Sequence, residues 1–360
     1  MTGHCDIAII GSGAAGIAAA VTAARAGCRT LLLDKNPAAG GTGGFSGLTT
    51  LCGLYDDKGD YINLGFAREF AEAIAETPPR KMGPVWVLPY RPARFRVAAG
   101  KFFAANPGIE MHWNTPLANV RCEDGQIVSI NGFKVGAVID CSGNAEVIQA
   151  IGTESLATDD TTQASAVVFP LTNVTREILT PAAAVQVLLP IVRAGFPPVI
   201  FQSNLDPDSV TVKFTGQPDR VPALIEFLRA KVRGFEHCLS PQTEFPIARR
   251  AGRMTIGEYL LTGHDVLSGR KFSDSVARCA WPVEQWNADG IIRLRYLPPR
   301  TYYEIPARSL RAAHVKNLFM AGKTISADAD AIASARVMGC CLATGAAAGN
   351  LAVSYLSCTK

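Results

Sequence analysis

The residues best suited to chemistry stand near the start of the chain. Gly11-Ser12-Gly13-Ala14-Ala15-Gly16 follows directly on the apolar run Asp6-Ile7-Ala8-Ile9-Ile10, and an acid, Asp34, comes 18 positions after the third glycine. This spacing suits a phosphate-bearing dinucleotide. Gly11 permits a tight turn, Gly13 lets backbone approach a pyrophosphate, and Gly16 lets a helix pack on a strand. The helix N-terminus then faces the phosphates, and Asp34 is placed to accept hydrogen bonds from a ribose. Beyond Asp34 and Lys35 lies a glycine-dense loop, Gly40-Gly41-Thr42-Gly43-Gly44-Phe45-Ser46-Gly47. Ligands of such folds lie outside the carboxyl ends of the strands, so this loop lands beside the cofactor, with backbone amides free to reach phosphate or ring.

The elements that must position these residues are legible around them. Ile17 to Ala26 is alanine-rich and helix-forming, Gly27 closes it, and Thr30 to Asp34 reads as a second strand. An amphipathic helix is expected over Tyr61 to Thr77, with Leu64, Ala67, Phe70, Ala71 and Ile74 on its apolar face. Arg91 to Ala105 predicts another helix, and Ile109 to Trp113 a strand. Leu117–Glu123 and Gln126–Asn131 form a predicted hairpin about Asp124-Gly125, and Val135 to Asp140 a buried strand. From about Ile151 to Tyr303 strands such as Ala164–Thr172 and Val210–Phe214 alternate with helices. One of these has Thr180 at its N-cap, Pro181 next and Gly195 at its end; another covers Arg220 to Val232. A strand at Asn317–Ala321 and a long helix from Val337 to Leu356 complete the chain.

Composition narrows the function classes. The 360 residues suffice for two domains, and 48% hydrophobic content implies a large buried interior. A net charge of +4, dispersed along the chain, argues against nucleic acid and is compatible with an anionic cofactor or substrate. The ten cysteines include no CxxC pair, so no metal site is expected. Leu179 to Phe201, the most apolar later stretch, is broken by prolines and Arg193, so no membrane span is expected. No basic segment precedes an apolar run at the N-terminus, and a cytoplasmic location is the expectation.

Four stretches together resemble the FAD-dependent oxidoreductases of glutathione-reductase-like and fumarate-reductase-like fold. They are the opening glycine unit with its GGTGG loop, Val138–Ala145, Ile256–Asp274, and the series Tyr303–Leu310, Asn317–Lys323 and Arg336–Gly345. The resemblance implies an α/β protein: a Rossmann-like FAD-binding domain of glutathione-reductase type with an inserted α+β substrate domain. Residues 1–150 and 304–360 would form the first, with 48–95 assigned in part to the substrate side, and 151–303 the second. It also implies roles. Gly11, Ser12, Gly13, Ala14, Ala15 and Gly16 would cradle the pyrophosphate, and Asp34 the adenosine ribose. Leu117 would meet adenine through its backbone, Ser142 and Gly143 would flank the pyrophosphate, and Gly322 would face the ribityl chain. The turn Val337-Met338-Gly339 would open the last helix toward the flavin, its positive end stabilising the reduced ring.

The catalytic groups are less plainly written. The resemblance implies histidines in the stretch Ser326–Ser334, which has none here, so Asp330, or Asp328 beside it, is the candidate to replace them in proton transfer. Arg308 and Arg336, inside the C-terminal motifs, are candidates to grip an acidic substrate; Arg249, Arg250 and Arg253 form another group. Cys340-Cys341 reads either as a low-pKa thiol in a first helical turn or as core packing. Trp281, Trp286, Tyr302 and Tyr303 wall a pocket or fill a core. The expected function is hydride transfer between a small organic substrate, with a carboxylate as one candidate, and flavin, the electron acceptor being open. A flavin monooxygenase using NAD(P)H and oxygen, and a flavin-binding electron-transfer or scaffold subunit, are the alternatives.

Overall fold

The computed structural model describes residues 3–158, 163–175, 181–197, 199–245, 247–287 and 292–358. Thr180, expected to cap a helix, lies outside them. The chain opens as β1 (His4–Ile10), α1 (Ala14–Arg25), β2 (Thr30–Leu33) and a one-turn helix α2 (Gly41–Phe45). Next come α3 (Phe66–Ile74), α4 (Pro92–Ala104), β3 (Ile109–His112), β4 (Val120–Glu123), β5 (Gln126–Ile130) and β6 (Phe133–Asp140). The middle holds β7 (Ala166–Leu171), α5 (Pro181–Arg193), β8 (Val199–Ser203), β9 (Val210–Phe214), α6 (Val221–Lys231) and β10 (Ile247–Ala248). The chain then returns through β11 (Leu318–Met320), α7 (Ala329–Ala335) and α8 (Met338–Cys358).

One sheet gathers the two ends of the chain. β3, β2, β1 and β6 are parallel neighbours in that order, and β11 joins β6 in parallel through Leu318↔Val138 to Met320↔Asp140. Strand alternation covers both faces: Ile7, Ile9 and Leu32 enter the core beneath α1 and α8, whereas Ala8, Ile10, Leu31 and Leu33 enter a second cluster. The β4–β5 hairpin turns at Asp124 and Gly125, both at positive φ.

Residues between the two halves divide by packing. β8, β9, β7 and β10 form an antiparallel sheet covered by α5 and α6, with its own core of Val167, Phe169, Val212, Phe214, Leu224 and Leu228. Met254, Leu261, Val266, Cys279, Trp281 and Tyr303 instead join the core of the first unit. The expected insertion 151–303 thus contributes to two cores.

Local departures from the sequence expectations have simple causes. Leu64, placed on an apolar helical face, precedes α3 and is exposed, because the helix starts only after Gly65 at φ +73°. The glycine-dense loop winds into α2 rather than remaining a loop. Leu117 precedes β4 in a connection pinned by Asn131, whose side chain accepts from Ala118 and Asn119 and donates to Pro116.

Helices α1 and α8 run side by side in the same direction, and small residues let their backbones touch. A Cβ on Gly345 would lie 2.1 Å from the Ala15 carbonyl oxygen, and one on Gly349 would lie 3.0 Å from that of Ala19. α8 is 21 residues long and apolar enough by composition to cross a membrane; here more than half of its apolar stretch is buried against the protein. Gly345→Ala should therefore cost about 3 kcal/mol by overpacking. Gly100→Ala, in an exposed part of α4 with nothing within 4 Å of the added carbon, should stabilise by about 0.4–1 kcal/mol. Urea unfolding of both variants checks the opposite signs.

Candidate cofactor and substrate site

A cavity of about 470 Å³ opens at the carboxyl ends of the parallel strands and is roofed by the second unit's sheet. Its outer end is built by the β1–α1 turn. Gly11 has φ +93°, and a Cβ there would sit 2.6 Å from the Cys141 carbonyl oxygen. Gly16 is closed by the protein too, since a Cβ would overlap the Gly11 carbonyl oxygen at 1.8 Å. Gly13 differs from both. Its φ of −72° suits any residue, and the nearest atom to an added Cβ is the Gly41 Cα at 4.0 Å. No neighbour in the protein requires that glycine, so the space kept free above it faces the cavity.

Asp34 closes this end. Its carboxylate accepts from the Ser12 backbone at 2.6 Å and the Ser12 hydroxyl at 2.5 Å, while its other oxygen accepts twice from Asn36 at 2.8 Å. Lys35 lines the cavity and pairs with Glu146 at 2.9 Å. Ala14, Ala15, Gly41, Thr42, Gly43, Ser46 and Leu117 line it as well. On the far side Ser142 and Gly143 follow β6. Buried Asp140 orders that turn, accepting from the Ser142 hydroxyl at 2.6 Å and from the Ser142 and Val147 backbone. Gly322 lines the cavity beside Cys341, its N–H donating to the Thr344 hydroxyl at 3.0 Å.

Several expected contacts go elsewhere. Gly16 packs helix on strand, and Gly44 lies against Arg96, to which its carbonyl serves as acceptor. Gly47 abuts the Val168 carbonyl. Val337 and Gly339 pack against Gly53, leaving Met338 as the part of that turn lining the cavity.

Of the three catalytic candidates, Arg336 alone lines the cavity. Asp330 is tied to Gln285 at 2.7 Å and to Arg295 at 2.5 Å, away from it. Arg308 lies at the surface with Asp274 at 3.1 Å. Asp328 caps α7 through the Ala331 N–H and accepts from Gly263. The Cys341 thiol meets the cavity, but burial pushes it up to about 12, the reverse of an activated thiolate. It donates to the Arg336 carbonyl at 3.2 Å.

At and behind the cavity's inner end lie Arg250, Trp281 and Trp286, which the sequence singled out without settling their role, together with Glu284 and Lys213, which sequence reasoning passed over. Arg250 lies 3.7 Å over the Trp286 ring and donates to the Ala164 carbonyl at 2.6 Å. Glu284 accepts from both Trp281 and Trp286 indoles. Burial works to raise that carboxyl, but Arg336, Lys213 and the indoles outweigh it and hold it below the usual carboxylate range. Lys323 crosses beneath, donating to the Arg249 and Ala251 carbonyls. The tryptophan pair was the available signal, since two indoles flanking one acid imply a fixed carboxylate.

An FAD dependent oxidoreductase family model matches residues 6–194 and 191–358. The chain belongs to this family, and FAD is its cofactor. It is 32% identical over 120 residues to a sarcosine oxidase subunit alpha of Rhizobium meliloti, a match covering 33% of this chain and 11% of the relative. The subunit of the same name from a Corynebacterium is 54% identical over 73 residues, 20% of this chain and 6% of that one. The matched segments thus span about a tenth or less of these relatives. Among solved structures, Aquifex aeolicus GidA aligns with 98% of the chain and 64% of its own at a TM-score of 0.55 and 13% identity. A geranylgeranyl bacteriochlorophyll reductase-like protein of Thermoplasma acidophilum covers 100% and 80% at 0.54 and 13%. The p-nitrophenol 4-monooxygenase PnpA of Pseudomonas putida covers 100% and 81% at 0.52 and 11%. These likenesses show the fold.

Burial and nearby Arg336 pull the Lys323 ammonium down to about 8. A base held below its unfolded value of 10.5 opposes folding while charged, and that penalty fades as pH rises from about 8 toward 10.5. Wild-type protein freed of flavin should therefore gain stability relative to Lys323→Met across this window. Denaturant titrations at its two ends measure the change, and a constant difference would contradict it.

Proposed function

We propose that this chain is an FAD-dependent oxidoreductase that passes a hydride between a small organic substrate and its flavin. The observation supporting this most directly is the single cavity joining the Gly13–Asp34 end to the Gly322–Met338–Arg336 end beneath the second sheet. Bound FAD supplies two-electron redox chemistry that no side chain here provides. The protein's share is to bind and orient. Backbone around Gly11, Ser12, Gly13, Ala14 and Ala15 would hold the pyrophosphate, with Ser142 and Gly143 opposite. Asp34, ordered by Ser12 and Asn36, would take the ribose, and Leu117 would border the adenine. Gly41, Thr42, Gly43 and Ser46 would approach the inner part of the cofactor across from Gly322. The N-termini of α1 and α8 each bring partial positive charge to the cavity, one toward phosphate and the other toward the reduced ring.

We assign the cofactor unit to the glutathione-reductase type. Support comes from the order β3-β2-β1-β6 with β11 returning from the far end of the chain. Val168 and Arg250 from the second unit close the inner end against water. The electron acceptor is drawn from oxygen, a quinone or a protein; oxygen is included because both curated relatives are named as subunits of an oxidase.

Gly13→Val separates cofactor binding from folding. Its backbone angle tolerates the change and the side chain enters open cavity, so the variant should fold with a melting temperature near that of flavin-free wild type. It should lack the yellow absorbance of bound oxidised flavin. Flavin content equal to wild type would overturn the placement. Anaerobic bleaching of wild type by an organic substrate supports the hydride-transfer reading, whereas bleaching by NAD(P)H alone reassigns the chain as a monooxygenase.

A further inference from the structure

At and behind the cavity's inner end positive charge outweighs negative, and the cations there are poorly satisfied. In β9, Val210, Val212 and Phe214 enter the second unit's core, so Thr211 and Lys213 occupy the opposite face. Lys213 stands directly across from Val168, which lines the cavity. Among the described residues its ammonium has no hydrogen-bond partner, and no carboxylate lies within ion-pair distance of Lys213, Arg250 or Arg336. Arg336 donates one terminal N–H to Gln163 at 3.0 Å, while its enclosed Nε bonds nothing. Arg250 is held from outside by the Ala164 carbonyl and from below by Trp286.

Glu284 is the carboxylate that offsets all three. Both of its oxygens already accept indole N–H groups, at 2.8 and 3.0 Å. It is a fixed counter-charge, shared among three cations. Burial draws Arg250 down to about 9 and Lys213 below its ordinary range. Half-buried cations with unfilled donors are costly unless an anion meets them.

We propose that Lys213, Arg250 and Arg336 form the receptor for the carboxylate of a small organic acid, the substrate of the redox reaction proposed above. Two of these groups come from the second unit and one from the cofactor unit, so the anion is gripped between the two. The proposal rests on that redox reading and adds the substrate's chemical class. The arginine forks fit a planar carboxylate and Lys213 supplies a point charge. Trp281 and Trp286 act here as the frame that fixes Glu284 and Arg250.

The test uses flavin-loaded protein and isothermal titration with acetate, benzoate and succinate, each against its neutral amide. At least one acid should bind roughly tenfold or more tightly than its amide, the loss expected when a charged hydrogen bond is removed. Lys213→Met and Arg250→Gln should each remove that preference while keeping the wild-type flavin content, and Lys213→Arg should restore part of it. Lys213→Met should also raise the melting temperature, because it removes a buried ammonium without a partner, which reports that the variant is folded. Equal affinity for acids and amides, or a preference untouched in both variants, overturns the proposal. Loss of flavin in the variants overturns it too, by giving the cluster to the cofactor. Protein purified without any flavin brings down the parent reading, and this one with it; flavin-loaded protein indifferent to every acid brings down this one alone.

Discussion

Everything at the site depends on how closely α1 and α8 can approach. The two helices come from opposite ends of the chain and run in parallel, with Gly345 against the Ala15 carbonyl and Gly349 against that of Ala19. No larger residue fits at the first of these contacts. Because the helices share a direction, their N-termini open on the same cavity, where Ala14, Ala15, Met338 and Cys341 all appear in the wall. A single steric condition thereby aligns two helix dipoles on one cavity. The parallel sheet beneath them, where β11 adds to β6, keeps the two ends of the chain in register.

Three glycines in six residues show why spacing alone under-describes a motif. Gly11 and Gly16 are demanded by the protein, which would collide with any side chain at either position. Gly13 is demanded by nothing among the described residues, and the space above it opens on the cavity. The cavity's outer end was legible because its requirements are local: turn, helix start and acid all fall within residues 11–34. Asp34 shows the limit of that reading, since its partners Ser12 and Asn36 emerged only from the folded turn.

The cavity's inner end was less legible, for a physical reason. Its groups are brought together from β9, the segment after β10, the strand bearing Glu284 and the turn before α8, none adjacent in the chain. Alternation in Val210–Phe214 does mark Lys213 as facing away from Val212, but which surface lies opposite is a tertiary fact. Asp330 was singled out as the acid in a stretch without histidine and Arg308 for lying inside a recognisable motif, and each is occupied by an ion pair of its own, with Arg295 and Asp274. Arg336 shares that motif context yet keeps its Nε free.

The return of β11 and α8 to the first sheet also has a consequence for how the chain acquires its structure. β1, α1 and β2 are synthesised before β11 and α8, and the partners that bury the Ala15–Ala19 surface lie more than three hundred residues later. Until residues 318–358 have been made, that surface and the edge of β6 stay uncovered, so the cofactor unit closes after the middle unit although it begins before it. The middle unit, whose core draws on residues 167–238, meets no such delay. Contacts so distant in sequence are slow to form, and the uncovered Ala15–Ala19 surface is exposed to misassembly in the interval.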